Sequence, residues 1–188
     1  MAEKSSGKEK RKAVFFDRDG VLVRSILRGG KMATPLSMKE FEVEPAAKEL
    51  AAALSKAGFL IFVVTNQPDI ARQKLDAKIL EQMHEYLLKH MGGKDILRGI
   101  YVCPHDDRDG CHCRKPKPGM LLRAASDWNL DLEKSFFIGD HARDVGAGKS
   151  VGCQTILIRK DYNQDTEADE IADDLKDAVG RVLAIDRV

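Results

Sequence analysis

An apolar run, Ala13–Phe16, is followed at once by Asp17, Arg18, Asp19 and Gly20. Two carboxylates at i and i+2 just past a strand reach one space, where like charges repel unless a cation lies between them. Magnesium suits such a place, because it takes carboxylate oxygens and keeps its other positions for water and phosphate oxygens. With Asp140 completing the cluster, a phosphate brought up to Asp17 is open to attack by that carboxylate, giving an aspartyl-phosphate. Asp19 is placed to protonate the leaving oxygen and then to take a proton from water. Thr65 and Asn66 offer a hydroxyl and an amide to phosphate oxygens, and Lys115 a compact positive charge. Each feature alone is an ordinary loop or cap. The ordered set D-x-D, T-N, K and G-D-x-x-x-D, ending in Asp140 and Asp144, is far harder to obtain by chance.

A second cluster carries different chemistry. Cys103-x-His105, five further residues, and then Cys111-x-Cys113 supply three thiolates and one imidazole. That is a full tetrahedral set for a structural zinc, with no position left open for water. Closing it would pin a polar segment that has little to bury, and would fix Arg114 and Lys115 beside it. His112 lies inside the motif as a fifth candidate and reads as a surface residue. Cys153 borders an apolar run and reads as core, His84 and His90 as solvated or partly packed, and Trp128 as a packing residue.

The elements that must hold these residues alternate. Strands are expected at Ala13–Phe16, Phe59–Thr65, Gly99–Cys103, Ser135–Gly139 and Gln154–Arg159. Helices are expected over 45–57, 76–91, 119–128 and 142–150, and a short strand and helix close the chain. Strands alternating with helices imply a mainly parallel sheet covered on both faces, an α/β three-layer Rossmann-like sandwich. In such sheets the carboxyl strand ends form the binding edge, which gathers Asp17, Thr65, Asn66, Cys103 and Asp140. Residues 24–44 hold a Gly pair and a Pro with no sustained period, and are expected to be a long functional loop. Arg24, Arg28 and Lys31 within it are able to meet a second anionic group.

The stretches "FFDRDGVLV", "VVTNQ", "CRKPKPGM" and "FIGDHARD" together resemble the haloacid-dehalogenase-like (HAD) phosphatase superfamily over nearly all of residues 13–160. The zinc-containing branch without a cap domain, which holds heptose bisphosphate and histidinol-phosphate phosphatases, is the most similar. The resemblance implies Asp17 as nucleophile and Asp19 as general acid/base. Thr65, Asn66, Gln67, Arg28, Arg114, Lys115 and His141 would be phosphate- or substrate-binding. Asp17, Asp19 and Asp140 would surround magnesium, with the backbone carbonyl of Arg18 as a further ligand. It further implies phosphomonoester hydrolysis of a small phosphorylated metabolite, with D-glycero-D-manno-heptose 1,7-bisphosphate as substrate and the 7-phosphate removed; histidinol phosphate or another sugar phosphate is the alternative. The chain departs from the heptose pattern at Asp69, where glycine is expected, at His141, where lysine is expected, and in lacking an aromatic residue over 24–31.

Composition narrows the alternatives. The 188 residues, 43% hydrophobic and 32% charged, suffice for one domain, expected over 13–188, with 1–12 as a disordered basic tail. Net charge is +1, and the basic surplus sits in Met1–Lys12; beyond it acids slightly outnumber bases. Broad nucleic-acid binding is therefore not expected, which counts against a zinc-stabilised nucleic-acid module. The longest apolar run, Phe59–Val64, is six residues, too short to span a membrane, and no secretory signal is evident. A cytoplasmic monomer is expected, and clustered cysteines there argue for metal rather than disulfides. A receiver-type phospho-switch also uses an aspartate, a threonine and a lysine around magnesium, but it lacks the second aspartate two residues on and has no zinc loop.

Overall fold

A four-residue strand with every side chain buried belongs at the middle of a sheet. In the computed structural model, which describes residues 9–187, β1 (Ala13–Phe16) lies there. It pairs in parallel with β4 (Leu60–Asn66) on one side and β6 (Phe136–Gly139) on the other. Beyond β4 lies β5 (Leu97–Cys103), and beyond β6 lie β7 (Gln154–Ile158) and β8 (Glu170–Ala172). The six parallel strands run in the order β5-β4-β1-β6-β7-β8.

Strand periodicity divides the core in two. Val14 and Phe16 face one layer with Leu54 of α1 (Ala47–Lys56), Met83 and Leu87 of α2 (Ala77–His90), and Val179 and Val182 of α5 (Leu175–Ile185). Ala13 and Phe15 face the other with Met120 and Leu121 of α3 (Gly119–Trp128) and Ala147 of α4 (Ala142–Lys149). Phe15 stacks on Phe62 at 5.5 Å, and Phe62 meets Trp128 edge-on at 5.5 Å. Burying the Phe15 and Phe62 rings stabilises the fold by roughly 1.5–3 kcal/mol each. Trp128 and Cys153 are packing residues, as expected. The expected helices and strands are found with ends shifted by one or two residues, and the three-layer α/β architecture holds.

Two regions differ from expectation. Within 24–44 the chain forms a hairpin, β2 (Ile26–Arg28) and β3 (Lys31–Ala33), joined by Gly29 and Gly30 at φ of 59° and 76°. Two central residues at positive φ make the tight turn whose twist matches paired strands. Leu27 and Met32 are exposed on it, so no buried period marks the strands in the sequence. Of the expected basic tail, 1–8 lies outside the described residues, while Arg11 and Lys12 are tied down. Asp131 N donates to the Arg11 carbonyl at 2.8 Å, and Lys12 Nζ meets Asp186 at 2.6 Å. Among the described residues no helix is long and apolar enough to cross a membrane.

Candidate active site

Parallel strands bring their carboxyl ends to one edge, and the expected residues assemble there. Asp17 leaves β1 with its N–H donating to the Ile138 carbonyl at 2.9 Å. Lys115 is buried beneath it. Its ammonium donates to the Val64 carbonyl at 2.8 Å and forms ion pairs with Asp17 Oδ1 at 2.9 Å and Asp144 Oδ1 at 2.7 Å. Lys115 is itself held by a two-way clamp: Asn66 Nδ2 donates to its carbonyl at 3.1 Å, and its N–H donates to Asn66 Oδ1 at 3.1 Å. Asn66 and Lys115, expected as phosphate binders, are here engaged with each other, and Lys115 with Asp17.

Asp19 is held as tightly, by different groups. Arg18 Nε donates to Asp19 Oδ1 at 3.0 Å and Nη2 to Oδ2 at 2.9 Å, a bidentate fork. Gln67 Nε2 donates to Asp19 Oδ2 at 2.8 Å and to the Thr65 hydroxyl at 2.9 Å. Gln67 therefore links the two strand ends. The Arg18 carbonyl accepts from Leu22 N at 3.0 Å and Val23 N at 2.8 Å, so both its lone pairs are spent in the turn, against its expected role as a metal ligand.

Asp140, fully buried, accepts from His141 Nδ1 at 2.8 Å on Oδ1 and from the Tyr162 hydroxyl on Oδ2. Nothing in the local sequence marks Tyr162. It is placed by its neighbour Asn163, whose Nδ2 donates to the Asp140 carbonyl at 2.7 Å and to the Ile158 carbonyl at 3.1 Å. His141 N and Asp140 N donate to Asp144 Oδ2, so Asp144 fastens the start of α4 as well as Lys115. Gly20, at φ 86°, lies so close that a Cβ there would fall 2.0 Å from Asp140 Oδ2.

The buried charges here favour a cation. Among the described residues the buried charges are Asp17, Asp19, Asp140 and Asp144 against Arg18 and Lys115. Two negative charges are left over, which is the charge of one divalent ion. Burial, and then Asp144, push the Asp17 carboxyl up to about 7, with Lys115 pulling the other way. Of the expected set Asp17, Asp19 and Asp140, the Asp19 carboxylate is taken by Arg18 and Gln67. The donor atoms of Asp140, His141 and Asp144 lie within 4.8 Å of one another.

Beside Asp19 opens a cavity of about 500 Å³ lined by Ser25, Lys31, Thr34, His141, Arg143 and Tyr162, among others. Lys31 reaches it from the hairpin. Arg28 does not line it: its guanidinium pairs with Glu40 at 2.9 Å. Arg24 pairs with Glu42 at 2.7 Å. Arg114 is bound to Asp107 at 2.5 Å and to the His105 carbonyl at 3.3 Å, so it braces the cysteine loop rather than facing the cavity. Arg143, unremarked in the sequence, lines the cavity with a buried Nε that has no hydrogen-bond partner.

The cysteine loop closes as expected. Cys103 Sγ lies 3.6 Å from His105 Nδ1 and 3.7 Å from Cys111 Sγ; Cys113 Sγ lies 3.2 Å from His105 Nδ1 and 3.5 Å from Cys111 Sγ. All four donors fall within 4.8 Å of one another. A zinc tetrahedron with bonds of about 2.3 Å has edges near 3.7 Å, so the spacing fits that ion. The thiols are free, not disulfide-linked. Asp69, where glycine is expected, has no positive φ, so that departure carries no backbone strain.

A model of the HAD-hydrolase-like family matches residues 112–179. A curated D-glycero-beta-D-manno-heptose-1,7-bisphosphate 7-phosphatase of Pseudomonas aeruginosa is 38% identical over 152 residues, covering 79% of this chain and 82% of the relative. The enzyme of the same name from Pseudomonas putida is 36% identical over 181 residues, covering 92% and 99%. The crystal structure of D,D-heptose 1,7-bisphosphate phosphatase from B. bronchiseptica, complexed with magnesium and phosphate, superposes with a TM-score of 0.79 at 30% identity, over 93% of this chain and 99% of that one.

Proposed function

The chain belongs to the HAD-like phosphatases, and from that premise we propose that it removes the 7-phosphate of D-glycero-D-manno-heptose 1,7-bisphosphate through an aspartyl-phosphate on Asp17. The observation that carries this reading is the ammonium of Lys115 fixed on Asp17 Oδ1 at 2.9 Å, beside a second carboxylate, Asp19, oriented separately by Arg18 and Gln67. One carboxylate is thereby aimed as a nucleophile and the other is kept for proton transfer.

Asp17 attacks phosphorus, the bond from phosphorus to the sugar oxygen breaks, and Asp19 gives that oxygen its proton. Asp19 then takes a proton from water as the water oxygen attacks phosphorus and the bond from phosphorus to the Asp17 oxygen breaks. Inorganic phosphate leaves, with Asp17 restored as a carboxylate and Asp19 as the acid with which the cycle began. Asp17 and Asp140 would hold magnesium, which would supply positive charge to offset the carboxylates and the phosphate. Thr65 offers its hydroxyl to the phosphate oxygens. Cys103, His105, Cys111 and Cys113 would hold zinc, which would stiffen the segment that delivers Lys115. Lys31 and Arg143 face the non-reacting phosphate, with His141 near it in place of the expected lysine.

The test is phosphate release from heptose 1,7-bisphosphate by the wild type and by Asp17→Asn with its zinc retained. The wild type is expected to turn over and the variant to be inactive. Retained activity in the variant overturns the mechanism, and a wild-type rate no better than that on histidinol phosphate overturns the substrate assignment.

A further inference from the structure

Arg18 is fully buried, and it is the largest such side chain among the described residues. Nε and Nη2 are spent on Asp19, so the plane of the guanidinium determines where the Asp19 carboxylate points. Two groups from distant segments set that plane. Phe41 lies under the guanidinium, with its ring centroid 5.4 Å from the central carbon. His84, on the third turn of α2, brings Nε2 to 3.1 Å from Nη1. A guanidinium only donates, so His84 Nε2 is the acceptor, and the ring is neutral with its proton on Nδ1. Burial, and then the Arg18 charge, hold this histidine down at about 3, in keeping with a neutral ring.

We propose that His84 is a positioning residue for Asp19: by accepting from Arg18 Nη1 it locks the guanidinium fork that aims the proton-transferring carboxylate at the leaving oxygen. The inference rests on the reading of Asp19 as general acid. It assigns a task to a residue that is half-buried, on the far side of Arg18, and touches neither substrate nor Asp19. Removing the acceptor leaves a buried N–H unpaired and frees the guanidinium to rotate. Gln67 alone would then hold Asp19. The loss falls on proton donation and not on phosphate binding.

Leaving-group dependence separates this from a general loss of structure. With the metal-loaded enzyme, kcat/KM is measured on heptose 1,7-bisphosphate, whose sugar oxygen needs a proton to depart, and on 2,4-dinitrophenyl phosphate, whose phenolate leaves without one. His84→Leu is expected to lower kcat/KM about 10-fold or more on the sugar phosphate and by less than about 2-fold on the aryl phosphate. His84→Gln, whose amide places an oxygen near the Nε2 position, is expected to restore most of the loss. Should the leucine variant not fold, His84→Asn, whose shorter amide falls short of Nη1, is read in its place. An equal loss on both substrates, no loss on either, or no recovery with glutamine overturns the proposal. Asp19→Asn is the reference: if its own loss is equal on both substrates, the reading of Asp19 falls and the inference with it. If only the His84 variants fail to discriminate, the reading of Asp19 stands and the inference alone is overturned.

Discussion

Replacing Lys115 by methionine removes the one cation that joins Asp17 to Asp144. Methionine fills similar volume, so the perturbation is chiefly electrostatic. Two carboxylates, fixed at 2.9 and 2.7 Å from the lost ammonium, are left facing each other in a buried space, and the Val64 carbonyl loses its donor. Breaking a buried pair from one side costs about 3–5 kcal/mol, a large fraction of the roughly 5–15 kcal/mol that holds a domain together. The cost depends on pH, and its sign follows from Asp17. Its folded value of about 7 stands above the 3.8 of the free side chain, a gap worth about 4 kcal/mol. A carboxyl raised on folding contributes stability that is complete below about pH 4 and is lost as pH rises through the folded value. In the wild type without added magnesium that loss ends near pH 7. In the variant the attraction of Lys115 is gone, Asp17 titrates higher, and the loss continues. Urea unfolding of both proteins from pH 6 to 9, zinc retained and no magnesium added, should show the smallest difference at pH 6 and a difference of about 3–5 kcal/mol at pH 9. Adding Asp144→Asn to the variant should recover part of the deficit at pH 9 without restoring turnover. A difference that is flat across this range refutes the argument that Lys115 works by holding Asp17 ionised.

Two further outcomes test the surroundings. Cys111→Ser should lose one equivalent of zinc by metal analysis and lower the melting temperature; full retention of zinc removes the loop's assigned role. Arg143→Ala should raise KM for a sugar bisphosphate about 10-fold or more, consistent with a lost charge-assisted contact, while Arg28→Ala should stay within about twofold because its guanidinium is committed to Glu40. The reverse ranking in steady-state kinetics refutes the assignment of the cavity.

The carboxylates were legible because each follows an apolar strand, and parallel strands deliver whatever follows them to one edge. The zinc ligands were legible because four donors fall within eleven residues of sequence. What escaped depends on contacts between segments far apart in the chain. Arg18 reads as a spacer between two aspartates, and the sequence does not show that its buried guanidinium forks onto Asp19 and meets Phe41 and His84 from distant segments. Tyr162 reaches Asp140 because Asn163 pins its loop, and no periodicity announces that. Arg28 was assigned to substrate because its charge is plain in the sequence, whereas the Glu40 that consumes it lies twelve residues on. The hairpin escaped because its strands are three residues each and expose their apolar side chains.

The turn at Gly29–Gly30 has a consequence for how such an enzyme changes over generations. A Cβ added at either glycine would meet nothing within 4 Å, but both have positive φ, so the turn is suited to added length rather than to a side chain at these two positions. Exposed loop tips of this kind accept inserted residues at little cost to the rest of the fold. The wall beside the cavity can therefore be lengthened or recoloured chemically from its outer end, while β1, a few residues upstream in the same chain, keeps Asp17 and Asp19 in register. Selection for a new phosphate ester has here a place to act that leaves the reaction itself untouched.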